Sequence, residues 1–358
     1  MRVLHTVPSL DPRMGGPSVS VPALADSLAG TRGVDEVFLW SPSHGPAGFQ
    51  QRQATLLPAE LTGRELRRIS PDLIHDHGIW TLPNWRSARL AKHTAASLVV
   101  SPRGMLEPWS LRQKRLKKRV AWLAYQRRVL EQADGLHATC SAEAAQFRAL
   151  GLTASVGVIP NGLDRSVDWG WRPTKSTCRR TATFLSRIHE KKGIEMLIDA
   201  WCQVRPEGWA MRVVGPGDSR YVEKLRGLAC DRGLADSWSF EAAVTGDGRV
   251  EVLAAADLFI LPTFSENFGN VVLEALAAGT PVLTTTGTPW SELDSRGCGW
   301  YVDPTVPSIS AGLAAATSLS RQELAEMGVR GSSYARQEFT WPVIAARMAA
   351  FYGSLVDR

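Results

Sequence analysis

Short apolar runs alternate with amphipathic stretches along residues 1–163. The apolar runs predict strands over Arg2–Val7, Val34–Trp40, Asp72–Asp76, Leu98–Ser101, Gly135–Thr139 and Val156–Ile159. The stretches between them predict helices over Pro17–Ala29, Glu60–Ile69, Pro83–Ala96, Glu107–Glu131 and Ala142–Leu150. Strands that alternate with helices are typical of a parallel sheet covered on both faces.

The periodicity stops over residues 164–180, which are rich in Trp, Gly, Pro, Ser and Thr, and this stretch is interpreted as a linker. The alternation then restarts. It predicts strands over Thr183–Ser186, Ala210–Val214, Ser237–Phe240, Leu258–Leu261 and Pro281–Thr285, and helices over Ile194–Val204, Tyr221–Arg232, Arg249–Ala255 and Asn270–Ala278. Pro307 to Arg358 is expected to be mostly helical. We therefore expect two doubly wound α/β domains that face each other across a cleft, a frequent location for a ligand site.

Composition supports a globular protein. The 358 residues are 44% hydrophobic and 21% charged, which excludes disorder, collagen and coiled coil as the main state. Five scattered cysteines without a C-x-x-C motif predict neither a disulfide framework nor a zinc knuckle. No signal peptide and no apolar run of about 18 residues is apparent. A cytosolic protein, or one peripheral to a membrane, is expected.

The positive charge is concentrated in the first half. Residues 1–163 contain 20 Lys and Arg against 12 Asp and Glu, whereas residues 164–358 contain 21 against 23. A basic half suits nucleic acid, anionic lipid or a phosphorylated substrate, and charge alone does not choose among them.

The segment from Leu261 to Val282, LPTFSENFGNVVLEALAAGTPV, contains the most informative pattern. A buried strand ends at Pro262, and a polar loop leads into the helix that begins at Asn270. Such a loop and helix N-terminus form a ligand-binding edge in an open α/β sheet, with backbone N–H groups that suit an anion. Glu266 and Glu274, eight residues apart, can accept hydrogen bonds from two hydroxylated parts of one ligand.

Two further loops each follow the first predicted strand of a domain. Arg187 and Lys192, in SRIHEKKG, combine the forked donors of a guanidinium with the compact charge of an ammonium group, and this combination suits a diphosphate. Gly15 and Gly16 allow backbone N–H groups to approach phosphate or sugar. Neither this loop nor VVGPGDSR, which contains Gly215, completes the G-x-G-x-x-G motif of dinucleotide sites, and the absence of a P-loop motif disfavours a kinase or ATPase.

His75 and His77 end a predicted strand in His75-Asp76-His77-Gly78 and fall on the same side of it. A metal would need a third ligand, which the sequence does not identify. A polar strand end that faces the cleft is the favoured interpretation, with plain packing as the alternative.

A basic segment runs from Arg112 to Arg128, with eight basic residues and no acidic one. Apolar residues nearby, such as Leu116, Val120 and Leu123, indicate an interfacial helix on anionic lipid. An ordinary solvated helix is the alternative, and nucleic acid is disfavoured because no recognition motif is present. The membrane candidates are Arg112, Lys114, Arg115, Lys117, Lys118 and Arg119.

These motifs together resemble the retaining GT-B glycosyltransferases of family 4, also called group 1. The resemblance covers essentially the whole chain. It depends on the block from Glu266 to Glu274, the Arg187 and Lys192 pair, Gly15-Gly16, the H-x-H-G strand end and Ile159-Pro160-Asn161-Gly162. The variants SENFGNVVLEALAAGTPV and SPRGMLEPW are similar to the branch that builds bacterial surface polysaccharides.

The resemblance implies an acceptor-binding domain over 1–163, a linker over 164–180, a nucleotide-sugar-binding domain over 181–340, and a last helix over 341–358 that packs back on the first domain. It implies that Arg187 and Lys192 bind the donor diphosphate, that Glu266 contacts the donor sugar, and that Glu274 binds the ribose. The candidate donor-binding residues are Gly15, Gly16, Arg187, Lys192, Gly215, Glu266, Asn267, Phe268, Gly269, Asn270 and Glu274.

The candidate catalytic residues are Glu266, Arg187, Lys192, Arg103 and His77. Many relatives carry a histidine where Arg103 stands in Ser101-Pro102-Arg103-Gly104. An arginine cannot accept a proton at neutral pH but can stabilise negative charge. Because the chain has no D-x-D motif, we expect no metal and no other cofactor, so Arg187, Lys192 and a helix dipole stabilise the leaving diphosphate.

The expected function is transfer of a sugar from a nucleotide sugar to a lipid-linked glycan in lipopolysaccharide or exopolysaccharide synthesis. The expected place is the cytoplasmic side, peripheral to an anionic membrane, and no nucleic-acid partner is expected. A transferase for a soluble acceptor, a sugar-nucleotide epimerase and a non-catalytic nucleotide-sugar or membrane-binding module are the alternatives.

Overall fold

A computed structural model describes residues 1–44, 53–61, 63–163, 169, 179–244, 246 and 248–356. Most of the predicted linker, residues 164–180, lies outside these described residues. The chain divides into two compact units. Unit 1 is Met1–Asp164 with Thr340–Arg358, and unit 2 is Arg165–Phe339.

The described strands and helices follow one another in the alternation that the sequence predicts. The strands are β1 Arg2–Thr6, β2 Glu36–Trp40, β3 Thr55–Leu56, β4 Leu73–His77, β5 Ser97–Ser101, β6 Gly135–Ala138, β7 Ser155–Val158, β8 Arg180–Leu185, β9 Trp209–Val214, β10 Trp238–Glu241, β11 Leu258–Leu261, β12 Val282–Thr285 and β13 Gly299–Val302. The helices are α1 Pro17–Leu28, α2 Gly63–Ile69, α3 Leu82–Thr94, α4 Pro108–Arg112, α5 Arg115–Ala121, α6 Arg127–Glu131, α7 Ser141–Ala149, α8 Ile194–Val204, α9 Ser219–Asp231, α10 Gly248–Ala255, α11 Asn270–Ala277, α12 Val306–Ser318, α13 Arg321–Glu338 and α14 Trp341–Val356.

Each unit contains one parallel sheet. The strand order is β3-β2-β1-β4-β5-β6-β7 in unit 1 and β10-β9-β8-β11-β12-β13 in unit 2. In each sheet the order reverses at the first strand, between β1 and β4 and between β8 and β11. Ligands of doubly wound sheets bind outside the carboxyl ends of the strands at such a reversal. The predicted class, two Rossmann-like α/β domains, is confirmed.

The first sheet has a core on both faces because its strands alternate buried side chains between them. Leu4 and Ile74 pack into one core, whereas Val3 and Leu73 pack into the other. The second core also includes apolar residues of α14, which recur every three or four positions. Helix α14 therefore belongs to the core of unit 1.

The predicted long helix over Glu107–Glu131 is wrong. Helix α4 ends at Arg112, and Lys114 adopts a left-handed conformation with φ of 52° before α5 begins. A π-helical turn, Trp122–Gln126, then separates α5 from α6. The sequence signal failed here because basic and apolar residues of good helix propensity continue across the break. Among the described residues, no helix has the length and hydropathy needed to cross a bilayer.

Candidate active site

Most of the predicted donor-binding residues of unit 2 lie on the loops that follow β8, β9 and β11, and Asn270 and Glu274 lie on α11. Exposed Arg187 lies two residues after β8, and Lys192 ends the short 3-10 turn Glu190–Lys192 before α8. Glu266 lies in the loop between β11 and α11, and its backbone N–H donates to the carbonyl of Gly287 at 2.7 Å. The two loops therefore flank the point where the strand order reverses.

Gly193 lets these two loops touch. Its φ is +69°, and a Cβ atom at this position would lie 2.0 Å from the carbonyl oxygen of Pro262. The backbone N–H of Phe264 also donates to the carbonyl of Lys191 at 2.9 Å. Only glycine combines this positive φ with so close an approach, so the contact depends on its missing side chain.

Lys192 and Glu266 form an ion pair across this contact, between Nζ and Oε1. Both side chains are 16% exposed. A cation and a carboxylate are thus held side by side and remain within reach of a ligand. A diphosphate would attract the lysine, and a sugar hydroxyl would donate to the glutamate.

Glu274, the residue predicted to bind the ribose, lies on α11 and pairs with Arg249 of α10. The glutamate side chain is 17% exposed and that of Arg249 is 40% exposed. Burial raises the pKa of Glu274, and the charge and hydrogen bond of Arg249 act against that shift. Arg249 was missed by the sequence analysis because no motif or fixed spacing connects it with Glu274.

The loop 267–270 turns one of its predicted members inward. Phe268 is buried, and its ring lies 5.1 Å from that of Trp290. Its carbonyl oxygen accepts a hydrogen bond of 2.7 Å from Trp290 Nε1. Asn267, Gly269 and Asn270 are half-buried in the same loop, where Gly269 precedes the first residue of α11.

Gly215 follows β9 and meets the loop that carries Arg187. A Cβ atom on Gly215 would lie 1.9 Å from the carbonyl oxygen of Ser186. The structure thus brings the predicted residues of unit 2 to one edge of its sheet.

Unit 1 holds the other predicted residues, Gly15, Gly16, His77 and Arg103. Gly15 and Gly16 precede α1 after β1, and Gly16 is the N-cap residue of that helix. Arg103 Nη2 lies 3.0 Å from His77 Nδ1, and its Nη1 donates to Asn161 Oδ1 at 2.7 Å. His77 and Arg103 are therefore in direct contact. Asn161 of the I-P-N-G segment also contacts Arg103, and the sequence analysis did not predict this contact.

His77 belongs to a buried cluster of four histidines. His5 Nδ1 lies 2.9 Å from His77 Nε2, His75 Nδ1 lies 2.6 Å from Tyr352 Oη, and His137 Nε2 donates to the carbonyl of Ile159 at 2.8 Å. Burial, with the nearby Arg103 charge, lowers the pKa of His5 to about 3. Burial also lowers the pKa of His137 to about 3 and those of His75 and His77 well below the usual value.

His5 provides the third residue that a metal site with His75 and His77 would require. One ring nitrogen of each residue lies within 4.8 Å of the others. However, Arg103 has only donors, so His77 Nδ1 accepts from it and the proton stays on Nε2, which donates to His5 Nδ1. This donor set fits a chain of neutral, hydrogen-bonded rings beside a guanidinium better than it fits a cation.

Asp76 points to the other side of β4 and is also buried. It accepts hydrogen bonds from Thr6 Oγ1 at 2.6 Å and from Asn84 Nδ2 at 3.0 and 3.1 Å. Burial raises the pKa of Asp76 to about 6, although these hydrogen bonds act against the shift. The carboxylate ties β1 and β4 to the first turns of α3.

The predicted membrane segment presents an apolar stripe to solvent. Leu116, Val120 and Leu123 are 80%, 67% and 73% exposed, and they lie on successive turns. Five of the predicted basic residues are exposed beside them: Arg112, Lys114, Arg115, Lys117 and Arg119. We call this surface the basic-apolar patch.

Lys118, the sixth predicted residue, points inward. Its Nζ donates to the carbonyl of Ser110 at 2.6 Å and lies 5.7 Å from the ring centre of Trp80. Tyr125 Oη donates to the backbone carbonyl of Trp80 at 2.8 Å, and the backbone N–H of Trp80 donates to Gln126 Oε1 at 2.9 Å. The basic-apolar patch is therefore attached to the loop that follows β4 and His77.

Two family models match the chain. A "Glycosyl transferase 4-like domain" matches residues 15–162, and "Glycosyl transferases group 1" matches residues 179–318. The GDP-mannose-dependent alpha-(1-6)-phosphatidylinositol monomannoside mannosyltransferase of Mycobacterium tuberculosis is 30% identical over 224 residues, 57% of each chain, so little more than half of that relative is matched.

A second relative and a solved structure extend the likeness. The D-inositol 3-phosphate glycosyltransferase of Nocardia farcinica is 27% identical over 325 residues, 83% of this chain and 70% of that one. The structure of Anabaena HepE in complex with UDP and glucose has a TM-score of 0.77 at 20% identity, covering 99% of this chain and 100% of that one. At this identity, the structural likeness establishes the two-domain GT-B fold alone.

Proposed function

Because this chain belongs to the group 1 glycosyltransferases of family 4, with a family model matching each half, we propose that it is a hexosyltransferase. It takes a sugar from a nucleotide-sugar donor and transfers it to a lipid-linked glycan, without a metal and with retention of anomeric configuration. The observation that carries this proposal is the ion pair of Lys192 with Glu266, at the reversal of the second sheet, with Glu274 on the helix that follows the Glu266 loop.

The donor binds through unit 2. Arg187 and Lys192 take the diphosphate, since both follow β8 and one is a fork and the other a point charge. Glu274 accepts from the ribose hydroxyls, and Glu266 accepts from the sugar. The backbone groups of Asn267, Gly269 and Asn270 complete the sugar site, whereas the Phe268 carbonyl is already occupied by Trp290.

The nucleoside diphosphate gains negative charge as it leaves. Lys192 and Arg187 stabilise that charge, together with the N-terminus of the helix that follows them. Fixed cations of this kind lower the barrier by about 3 kcal/mol each. The proposal assigns no protein nucleophile. The departing phosphate accepts the proton of the acceptor hydroxyl on the face where the new bond forms.

The acceptor is lipid-linked, and the basic-apolar patch supports this part of the proposal. Three exposed apolar side chains flanked by five exposed cations match the two components of an anionic bilayer surface. The name of the mannosyltransferase relative contains a glycolipid, phosphatidylinositol monomannoside. We place the protein at the cytoplasmic face of a membrane, in the assembly of a bacterial surface polysaccharide, as the SENFGNVVLEALAAGTPV and SPRGMLEPW variants suggest.

A donor screen tests the proposal. The purified chain is incubated with UDP- and GDP-sugars and a bacterial membrane extract, and released nucleotide and labelled lipid are measured together. We expect one donor to give both signals in equal amount, and Lys192→Ala to lower both by about 10²–10³. Nucleotide release without labelled lipid would favour a soluble acceptor or an epimerase. Nucleotide binding without any turnover would favour a binding module, and a product of inverted configuration would exclude retention.

A further inference from the structure

Arg103 carries a positive charge that the described residues do not neutralise with an ion pair. Its two hydrogen-bond partners, Asn161 Oδ1 and His77 Nδ1, are neutral groups. Its Nε atom is buried and has no hydrogen-bond partner among the described residues. The residue as a whole is half-buried.

The surroundings of this guanidinium compensate its charge only in part. The histidines around it are neutral because burial lowers the pKa of each. Glu143 interacts with Arg103 electrostatically, but its oxygens accept hydrogen bonds from the N–H of Gly104 at 2.7 Å and of Thr139 at 2.8 Å rather than from the guanidinium. Burial lowers the pKa of Arg103 itself to about 10. A buried cation without an ion pair destabilises the ligand-free fold.

The backbone that presents Arg103 is also strained. Arg103 has φ of 55° and is followed by Gly104 with φ of 74°. A left-handed conformation costs a residue with a side chain about 1–2 kcal/mol. The Glu143 hydrogen bond to Gly104 fixes this turn at the carboxyl end of β5. Backbone strain and a charge without an ion pair at one residue are characteristic of a functional site.

We propose that Arg103 binds an anionic group of the substrate, a phosphate or a carboxylate, at the carboxyl edge of the first sheet. The proposal rests on the transferase function given above and assigns the class of ligand that unit 1 recognises. A guanidinium fork matches the planar or tetrahedral oxygens of such a group, and Asn161 and His77 hold the fork in a fixed orientation. The anion comes either from the donor diphosphate or from an acidic group on the acceptor.

Thermal unfolding separates this role from a structural one. Arg103→Gln removes the charge, and Arg86→Gln on the exposed face of α3 is the matched control. We expect the ligand-free Arg103→Gln protein to unfold at the same temperature as the parent or higher, because a destabilising charge has been removed. Two results together would overturn the proposal: the Arg103→Gln protein unfolds at a lower temperature than the parent, and inorganic phosphate raises the unfolding temperature of both proteins equally.

Inorganic phosphate is the probe for the site itself. In a Lys192→Ala background, which weakens the diphosphate site of unit 2, phosphate should still raise the unfolding temperature. Adding Arg103→Gln should remove most of that rise, and adding Arg86→Gln should leave it intact. This readout needs no turnover, so it decides on the anion site even if no donor supports transfer and the proposed function fails.

Binding and kinetics then identify the source of the anion. If the anion is the donor diphosphate, Arg103→Gln weakens binding of UDP or GDP about tenfold or more, as expected for hydrogen bonds to a charged group. If it lies on the acceptor, nucleotide affinity is unchanged and the KM for lipid acceptor rises by a similar factor, with partial rescue by Arg103→Lys. Unchanged nucleotide affinity together with unchanged kcat/KM would overturn the proposal.

Discussion

Lys192 and Glu266 lie 74 residues apart in the sequence and form an ion pair in unit 2, with both side chains 16% exposed. The pair joins the turn after β8 to the loop after β11 through the glycine contact at Gly193. A donor that binds there must share or replace the contact, which makes the pair a direct target for mutation.

Lys192→Ala is expected to lower the transfer rate by about 10²–10³, since it removes a fixed cation from the leaving diphosphate. Binding of UDP or GDP, measured by calorimetry, should weaken as well. Lys224→Ala, an exposed lysine of α9 that pairs with Glu195, is the matched control and should behave as the parent. Equal nucleotide affinity in Lys192→Ala and the parent would contradict the diphosphate role.

Glu274→Gln should weaken donor binding by about 10- to 100-fold, because hydrogen bonds from hydroxyls to a charged acceptor contribute about 1.5–3 kcal/mol. The measurement compares ribonucleotide with deoxyribonucleotide. If Glu274 binds the ribose, the substitution should cost much less affinity for the nucleotide that lacks a 2′-hydroxyl. An equal loss for both nucleotides would exclude that hydroxyl as its ligand.

Gly193→Ala and Gly233→Ala form a matched pair, since φ is +69° at one position and +70° at the other. A Cβ atom on Gly193 meets the Pro262 carbonyl at 2.0 Å, whereas one on Gly233 meets nothing within 4 Å. We expect Gly233→Ala to lower the free energy of unfolding by about 1–2 kcal/mol and Gly193→Ala by about 3 kcal/mol or more. Chemical denaturation followed on unit 2 measures the difference, and equal losses would contradict the described contact.

The basic-apolar patch predicts binding to anionic vesicles. Leu116→Ser with Leu123→Ser should reduce partitioning by about 10²-fold or more, given about 1.5–3 kcal/mol for each buried leucine. Reversing the charges of Lys114, Arg115, Lys117 and Arg119 should also weaken it, by about 1 kcal/mol for each cation. Reversing Arg220, Lys224 and Arg226 of α9 is the control. Vesicle sedimentation that is the same for all these proteins would reject the membrane proposal.

The histidine cluster predicts that unit 1 loses stability in acid. A histidine whose pKa is lowered by folding contributes stability above its unfolded pKa of 6.5, and the contribution falls as pH drops toward the folded value. Four such residues oppose two effects of the other sign. The raised pKa of Asp76, about 6, stabilises the fold as pH falls through that value, and burial also raises the pKa of Glu143.

Unfolding of unit 1 should therefore take up a net of about two to three protons below about pH 6, which corresponds to a loss of about 3–4 kcal/mol per pH unit. Hydrogen exchange of the β4 and β6 amides between about pH 5 and pH 7 measures this slope, after correction for the intrinsic exchange rate. His75→Gln should reduce the slope by one proton. Stability that does not change with pH would contradict the prediction, since it would mean that folding leaves the pKa values of the cluster unshifted.

The sequence predicts the two-domain α/β alternation and the strand ends that carry Arg187, Lys192, Glu266 and Glu274, because these features depend on local periodicity and on short motifs. It missed β3, a two-residue strand, and β13, which lies between the last predicted strand and the tail predicted to be helical. Pairing along a sheet edge, rather than local pattern, determines such short strands.

The partners of the site residues were also beyond the sequence. Arg249 meets Glu274 only because α10 packs beside α11, and His5 meets His77 only because β1 lies next to β4. The break at Lys114 is invisible to propensity, yet it orients the apolar stripe of α5 toward solvent while Tyr125 and Gln126 hold Trp80. Contacts of this kind arise from tertiary packing.

Helix α14 supplies Ile344, Met348 and Tyr352 to one core of unit 1, although the whole of unit 2 separates it from the other residues of that core. On the ribosome, unit 2 can fold as soon as its last residues emerge. Unit 1 must wait, with part of one face of its sheet uncovered, until α14 leaves the exit tunnel. The strands of unit 1, which are translated before unit 2, thus complete their core after it, and a chaperone has that whole interval in which to bind them.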